Sequence, residues 1–365
     1  MRGHQPGRIS WPATPPGGLA GRAAESAAIQ RMLGRGRLVT ITGLPGVGKT
    51  AAGIAAAAGA NFADGAWLVT LDSLDDGDML PHTIADALGM HDGPASCQLE
   101  ALVDELSGRR LLIVLDTCEH LIEACAGFAM ALLLAPGRDV RILATSREPL
   151  RVPGGLTVTI RPLPLRHAVE LFGQRAADAS PGFRITQESQ ETVEAICRRL
   201  DRLPLAIELA ARQMASGSLE QLRSRLQADY WFLRNSGDAP PRHETLCTAI
   251  GWSYQLCSPA ERLLWARLSV FDGSFRLQDA QDVCADTYLS RAAVATAVTM
   301  LAARSVLLMG QQKNRQSWFR LPATLRAYGA GMLRRLAASD ESERRHQAWR
   351  AGQRDRHEDT GEPGS

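Results

Sequence analysis

The sequence predicts an α/β unit, a parallel sheet with helices on both faces, followed by a helical subdomain and a winged-helix domain. Three observations carry this reading. Short, strongly apolar, β-branched runs alternate with helical stretches in the first part of the chain, the signature of buried parallel strands. From His167 onward the apolar spacing is helical almost throughout. Near the end, two short strand candidates flank a polar turn and lead into a last helix, the pattern of a winged helix.

Residues 1–18, rich in Pro and Gly, read as a flexible lead-in. Ala23–Leu33 is helical, and Leu38–Thr42 (LVTIT) is a buried strand stopping at Gly43. The Ala-rich Thr50–Ala60 forms a helix. Trp67–Leu71, Leu111–Leu115 and Arg141–Thr145 are further strands, with an amphipathic helix at Leu99–Leu106. This α/β unit spans 19–162. Helices at His167–Ala177, Glu188–Leu200, Pro204–Ala215 and Leu219–Leu226 fill 163–234. Two prolines in Asn235–Arg242 mark a boundary, and 235–338 is the winged-helix domain. It holds helices at Glu244–Leu256, Pro259–Leu268, Leu277–Cys284, Ala292–Ala303 and Ala323–Leu336, with strands at Ser305–Met309 and Ser317–Leu321. Residues 339–365 read as a charged, flexible tail.

A chain of 365 residues divides into two or three packed units, and 45% apolar with 22% charged residues excludes wholesale disorder. A formal net charge of +2 neither draws the protein to nucleic acid nor keeps it away. Seven cysteines, without a CxxC or Cys/His cluster, read as reduced thiols rather than a zinc site or disulfide framework. The N-terminus has no apolar signal core and no stretch approaches a membrane span, so the expected location is the cytoplasm.

Gly43-Leu44-Pro45-Gly46-Val47-Gly48-Lys49-Thr50 matches GxxxxGK[ST] in full, between a strand and a helix that Ala51 continues. Glycines let backbone N–H groups close around phosphate oxygens while the helix N-terminus adds positive dipole. Lys49 then reaches the β- and γ-phosphates and Thr50 ligates Mg²⁺. A Gly-rich turn that spells the motif by chance would lack this strand and helix. Lys49 and Lys313 are the only lysines in an Arg-rich chain, and a planar guanidinium does not replace a point charge here.

Asp116 ends the most apolar strand, where a P-loop site needs a carboxylate for the metal. Thr117 follows it, where many such ATPases carry a second acid. Glu119 is then the candidate hydrolytic base, with His120 beside it, although Glu119 could equally cap the helix that begins there. Arg147, just past a neighbouring strand, is placed to sense a γ-phosphate; the alternative is a solvated surface Arg.

These residues resemble a known family. Leu19–Glu25, the P-loop, Leu112–Leu121, Thr145–Leu150 and Leu203–Ala211 occur in the order seen in the NB-ARC module of STAND signal-transduction ATPases. The likeness is nearest to the ATPase core of actinobacterial transcriptional regulators of the LuxR and SARP types, and it covers about residues 19–336. Arg242–Leu246, Trp252–Tyr254 and Ser258–Arg262 are similar to the start of that subfamily's winged helix. The resemblance implies that Gly21 and Arg22 line the adenine and ribose side, that Arg147 senses the terminal phosphate, and that Pro204 packs against adenine. It implies ADP in a closed state, exchange for ATP, and a protein partner or self-assembly. The chain departs from the family at Asp201-Arg202-Leu203, where Arg replaces a conformationally permissive Gly. It departs again at Leu321-Pro322-Ala323, where no imidazole is offered to the nucleotide.

The expected function is an ATP/ADP switch with slow ATP hydrolysis, regulating transcription or signalling through partner contacts. Two alternatives stand beside it: an ATP-dependent DNA-binding protein using its winged helix, and a degenerate nucleotide-binding remnant. Direct DNA binding is not expected, because Ala292–Ala303 carries no basic residue and reads as buried.

Overall fold

Five of the strands pair in parallel. In the computed structural model, which describes residues 21–90, 98–106, 108–135, 139–228, 230, 232–233, 245–311, 316–336 and 339–360, two compact units divide between Leu171 and Phe172. The lead-in and the Asn235–Arg242 linker lie outside the described residues.

In the first unit, α1 (Ala23–Arg35) precedes β1 (Leu38–Thr42), and the glycine-rich loop joins β1 to α2 (Lys49–Ala58). Then come β2 (Ala66–Thr70), α3 (Leu80–Ala87), α4 (Leu99–Glu105), β3 (Leu112–Asp116), α5 (Ile122–Leu134), β4 (Arg141–Thr145) and β5 (Leu156–Thr159). The sheet order is β2-β3-β4-β1-β5. Every residue of β1 and β3 is buried, which is why both read as unbroken apolar runs. β5 instead alternates half-buried and exposed positions at the sheet edge; its LTVT run alternates apolar and polar residues, but at four residues it is too short to stand out in the sequence.

This order fixes the site. β4 lies between β1 and β3, in parallel register with Ile41 beside Thr145 and Leu115 beside Ala144. The carboxyl ends of three strands therefore meet on one edge. Helix α2 buries Ala52, Gly53, Ala56 and Ala57, small residues that let its axis lie close against the sheet.

Helix α6 (Leu165–Ala179) runs across the division, and the second unit continues with α7 (Gln187–Arg199), α8 (Pro204–Arg212) and α9 (Leu219–Ala228). α7 starts at a capping box of Thr186 and Ser189, and Pro204 opens α8, where a missing N–H costs nothing. Next are α10 (Leu246–Gln255), α11 (Pro259–Leu268), β6 (Ser274–Phe275), α12 (Leu277–Cys284), α13 (Arg291–Ala303), β7 (Leu308–Gln311), β8 (Ser317–Arg320), α14 (Ala323–Arg335) and α15 (Ser339–Thr360). Ser258 and Glu261 form the capping box that starts α11. Trp265, fully buried, donates from Nε1 to the Leu325 carbonyl at 3.0 Å and packs edge-on to Tyr254.

Three expectations are corrected here. The wing is a three-stranded antiparallel sheet, β6-β8-β7, because the two-residue β6 is too short to show a pattern. Ser339–Thr360 is a helix rather than a flexible tail, anchored where the His346 and Trp349 rings meet Phe271 at 5.0 and 5.3 Å. And α13 is only half buried. Val294, Ala297, Val298 and Leu301 face the core, while Arg291, Ala292, Thr296 and Thr299 are exposed.

The Asp201-Arg202-Leu203 turn is built under strain. Asp201 and Arg202 have φ of 53° and 56°, the left-handed region that side-chain-bearing residues resist. Asp201 is held there by its carboxylate, which accepts from the Ala323 N–H at 2.9 Å and from the Thr324 N–H and hydroxyl, both at 2.8 Å. It thus caps the start of α14 across the fold of this unit.

Arg202→Gly is expected to raise stability by about 0.5–1 kcal/mol, the relieved strain exceeding the added freedom of the unfolded chain. Asp201→Ala, which strips three donors of one acceptor, is expected to lower it by about 1–2 kcal/mol. Urea unfolding of the full chain, followed by circular dichroism, measures both.

Candidate nucleotide-binding site

The loop from Gly43 to Gly48 takes its shape from backbone conformations that favour glycine. Gly43 has φ of 150°, and a Cβ there would lie 2.6 Å from the Ile160 carbonyl oxygen, so only glycine lets the loop leave β1 beside β5. Gly46 and Gly48 have φ of 70° and 92°. Gly48 is the N-cap of α2 and offers no side chain, so the first N–H groups of the helix are left to point into the loop. Leu44, Pro45 and Val47 are buried beneath it.

The Lys49 ammonium donates to the Gly43 and Leu44 carbonyls at 3.0 and 3.2 Å. The Thr50 hydroxyl donates to Asp116 Oδ1 at 2.6 Å. Thr145, at the end of β4, donates from its own hydroxyl to the same oxygen at 2.6 Å and accepts from the Thr117 N–H at 3.0 Å. That acceptance fixes the direction of the Thr145 proton. Thr117 also donates to Asp116 Oδ2 at 3.3 Å. With φ of 69°, Thr117 is a β-branched residue in the left-handed region directly beside the carboxylate, a placement typical of functional sites.

Glu119 lies in a 3-10 turn, Cys118–His120, and the N-terminus of α5 has no side-chain cap. Glu119 thus stands in the first turn of the short helix, where a backbone N–H of that turn also acts on its carboxyl. Its Oε1 accepts from Arg147 Nε at 2.8 Å, with only 8% and 9% of the two side chains exposed. Arg147 is accordingly no solvated surface residue. Burial pushes the Glu119 carboxyl up, but the charges of Arg147 and then Lys49 outweigh it, and its pKa falls below the ordinary value. His120 is engaged elsewhere, its Nε2 lying 2.9 Å from both the Leu71 and Leu74 carbonyls.

Arg22 is buried and braces the loop from behind. Its guanidinium donates to the Val47 carbonyl and the Arg161 carbonyl, both at 2.7 Å, and to Glu25 at 2.8 Å. Gly21, φ 73°, lies against the His167 imidazole, where a Cβ would come within 2.4 Å of Cγ. Ala51 is half-buried in the first turn of α2, and Pro204 lies in the second unit at the first position of α8.

The structure therefore brings Lys49, Thr50, Asp116, Glu119 and Arg147 onto one sheet edge. Sequence reasoning missed Thr145 as the second hydroxyl on Asp116, although a polar residue ending an apolar strand next to β3 is a readable signal. It also missed His167, whose approach to Gly21 has no signal in local sequence.

Comparisons with known proteins agree with parts of this picture. A family model described as a winged helix-turn-helix domain matches residues 257–348. Rv0890c of Mycobacterium tuberculosis, which carries the name of an HTH-type transcriptional regulator, is 35% identical over 317 residues. The match takes in 86% of this chain, which spans only 35% of that regulator's length. Rv0894 of the same organism is 39% identical over 272 residues, covering 73% of this chain and 69% of the relative. The chain belongs to the family of Rv0894. Among solved structures, a STAND protein with a tetratricopeptide repeat sensor from Pyrococcus horikoshii aligns at 17% identity with a TM-score of 0.36, over 86% of this chain and 42% of that one. A chain of Drosophila ORC bound to DNA aligns at 14% with a TM-score of 0.42, over 81% and 91%. Likenesses this distant bear on neither mechanism nor assembly.

The match across the winged helix and the exposed face of α13, headed by Arg291, leave the expectation against direct DNA binding unsupported. Among the described residues no helix is long and apolar enough to cross a membrane.

Thr145→Val removes one donor to Asp116 and the acceptor of a buried N–H, and is expected to cost about 1–3 kcal/mol. Thr145→Ser keeps both bonds and should cost well under half of that. Denaturant titration of the two variants against the parent checks the pair.

Proposed function

We propose that this protein is an ATP/ADP-binding switch of the STAND type, with an NB-ARC-like core and slow ATP hydrolysis, acting on transcription or signalling through a partner or through self-assembly. The observation that carries this reading is the complete strand–loop–helix cradle, with Thr50 and Asp116 already joined at its mouth. Gly43, Gly46 and Gly48 shape a ring of inward N–H groups for phosphate oxygens, and Lys49 exchanges two backbone carbonyls for phosphate without leaving the loop.

The donor set suits Mg²⁺. Thr50 gives its proton to Asp116, so its lone pairs point outward, and both side chains offer hard oxygen ligands of the kind Mg²⁺ takes alongside phosphate. Bound there, the cation would neutralise charge on the terminal phosphates. Arg147 is the candidate sensor of the terminal phosphate and Glu119 the candidate base. The hydrogen bond between them withholds both, which favours a slow hydrolase over a motor. Gly21, Arg22 and Pro204 remain the candidates for the adenine and ribose side.

A second reading has its own support: binding to DNA through the winged helix, as the match over residues 257–348 and the naming of Rv0890c suggest. Filter binding on duplex DNA separates the two. Tight binding that weakens steeply with salt would favour it over partner-only regulation.

Lys49→Ala is expected to weaken nucleotide binding by about two orders of magnitude, since a charge-assisted contact is lost and no other described residue is a lysine. Equilibrium binding of labelled ATP and ADP measures it. Parental affinity in the variant would refute the site.

A further inference from the structure

We propose that Glu119 sets the preference between a nucleoside triphosphate and a diphosphate, by competing with the terminal phosphate for Arg147. The inference rests on the nucleotide site proposed above and goes beyond it by naming the residue that makes the third phosphate costly.

The geometry begins with the pair itself. Arg147 Nε to Glu119 Oε1 is 2.8 Å, with more than nine-tenths of each side chain withdrawn from solvent. The second carboxylate oxygen, Oε2, is buried and has no hydrogen-bond partner. A carboxylate held by one oxygen, with the other unsatisfied, is not a finished structural bridge.

The charges around it supply the competition. Lys49 lies close enough for its charge to act on Glu119, as Arg147 does. Glu119 is therefore the local anion set against the same cations that a terminal phosphate would use. Asp116 already accepts from the hydroxyls of Thr50, Thr145 and Thr117. Three hydroxyls fix Asp116, whereas Glu119 has one side-chain donor, Arg147, beside a backbone N–H of its own turn, so Glu119 is the anion that must yield.

A diphosphate leaves the pair undisturbed, because its oxygens are satisfied by the loop N–H groups and Lys49. A triphosphate adds negative charge where Arg147 and Glu119 meet. It must take Arg147 from Glu119 and leave a buried carboxylate beside an anion, both of which oppose binding. Preference for the diphosphate follows from the ion pair alone. Anything that displaces Glu119 from Arg147 would turn the site towards the triphosphate.

The test is the ratio of affinities for ADP and a non-hydrolysable ATP analogue, measured with Mg²⁺ present in the full chain. Glu119→Gln keeps the shape and the acceptor for Arg147 but removes the competing charge. The analogue should bind about tenfold tighter while ADP affinity changes by less than about threefold. An unchanged ratio, a reversed one, or equal tightening of both ligands overturns the proposal. Glu119→Met combined with Arg147→Met replaces the buried pair with apolar groups of similar length, and such replacements usually fold. This double variant should bind ADP as the parent does and lose at least about tenfold in analogue affinity relative to Glu119→Gln. Retention of full analogue affinity would remove Arg147 from the argument. Lys49→Ala in the same assay separates the two levels. If it binds ADP like the parent, the site itself is misassigned. If it loses ADP while the Glu119→Gln ratio stays at the parental value, only the role of Glu119 falls.

Discussion

Asp116 Oδ1 receives two hydroxyl protons, one from the first turn of α2 and one from the end of β4. That double donation ties the glycine-rich loop, the Asp116 carboxylate and the intervening strand into one unit. It depends on the sheet order, since only with β4 between β1 and β3 does Thr145 fall beside Asp116. The all-buried strands that enforce this order are thus part of the site. A change in strand order or register would scatter the hydroxyls before it unfolded the sheet.

Around this centre the polar groups form two layers. The inner layer, Thr50, Thr145 and Thr117, fixes one carboxylate through short uncharged donors. The outer layer is ionic: Arg22 reaches across to the Val47 carbonyl from behind the loop, and Arg147 holds Glu119 in front. Neutral hydroxyls hold geometry at little desolvation cost, whereas buried ions are costly to strand and so respond to incoming charge. Rigidity and responsiveness are therefore assigned to different residues.

Much of this was legible in the sequence because it is local. LVTIT before GLPGVGKT and LLIVL before Asp116 announce strands whose residues are buried without alternation, and the structure places them as read. The helix from Pro259 was placed as well, and the structure shows that Ser258 and Glu261 start it as a capping box. What stayed hidden depends on contacts between distant segments. Nothing near Thr145 says that it bonds to Asp116, and nothing near Gly21 says that His167 rests on it. The edge strand β5 and the two-residue β6 escaped because short or half-exposed strands carry little periodic signal. The helix from Ser339 to Thr360 was hidden by its charge, since its hold on the winged helix comes from two aromatic rings and the hydrogen bonds of Arg345 and Trp349 to Ala285 and Asp279 rather than from an apolar stripe.

The clasp of Asp201 on α14 constrains how the second unit can move. The residue that caps α14 sits in the turn leading directly into α8, so the helical segment and the wing share one polar joint. Parting them would strand three donors at once. Displacements that keep the joint closed meet no such barrier. Within this unit α8 and α14 should therefore travel as a rigid body, and any hinge in it has to be found away from this turn.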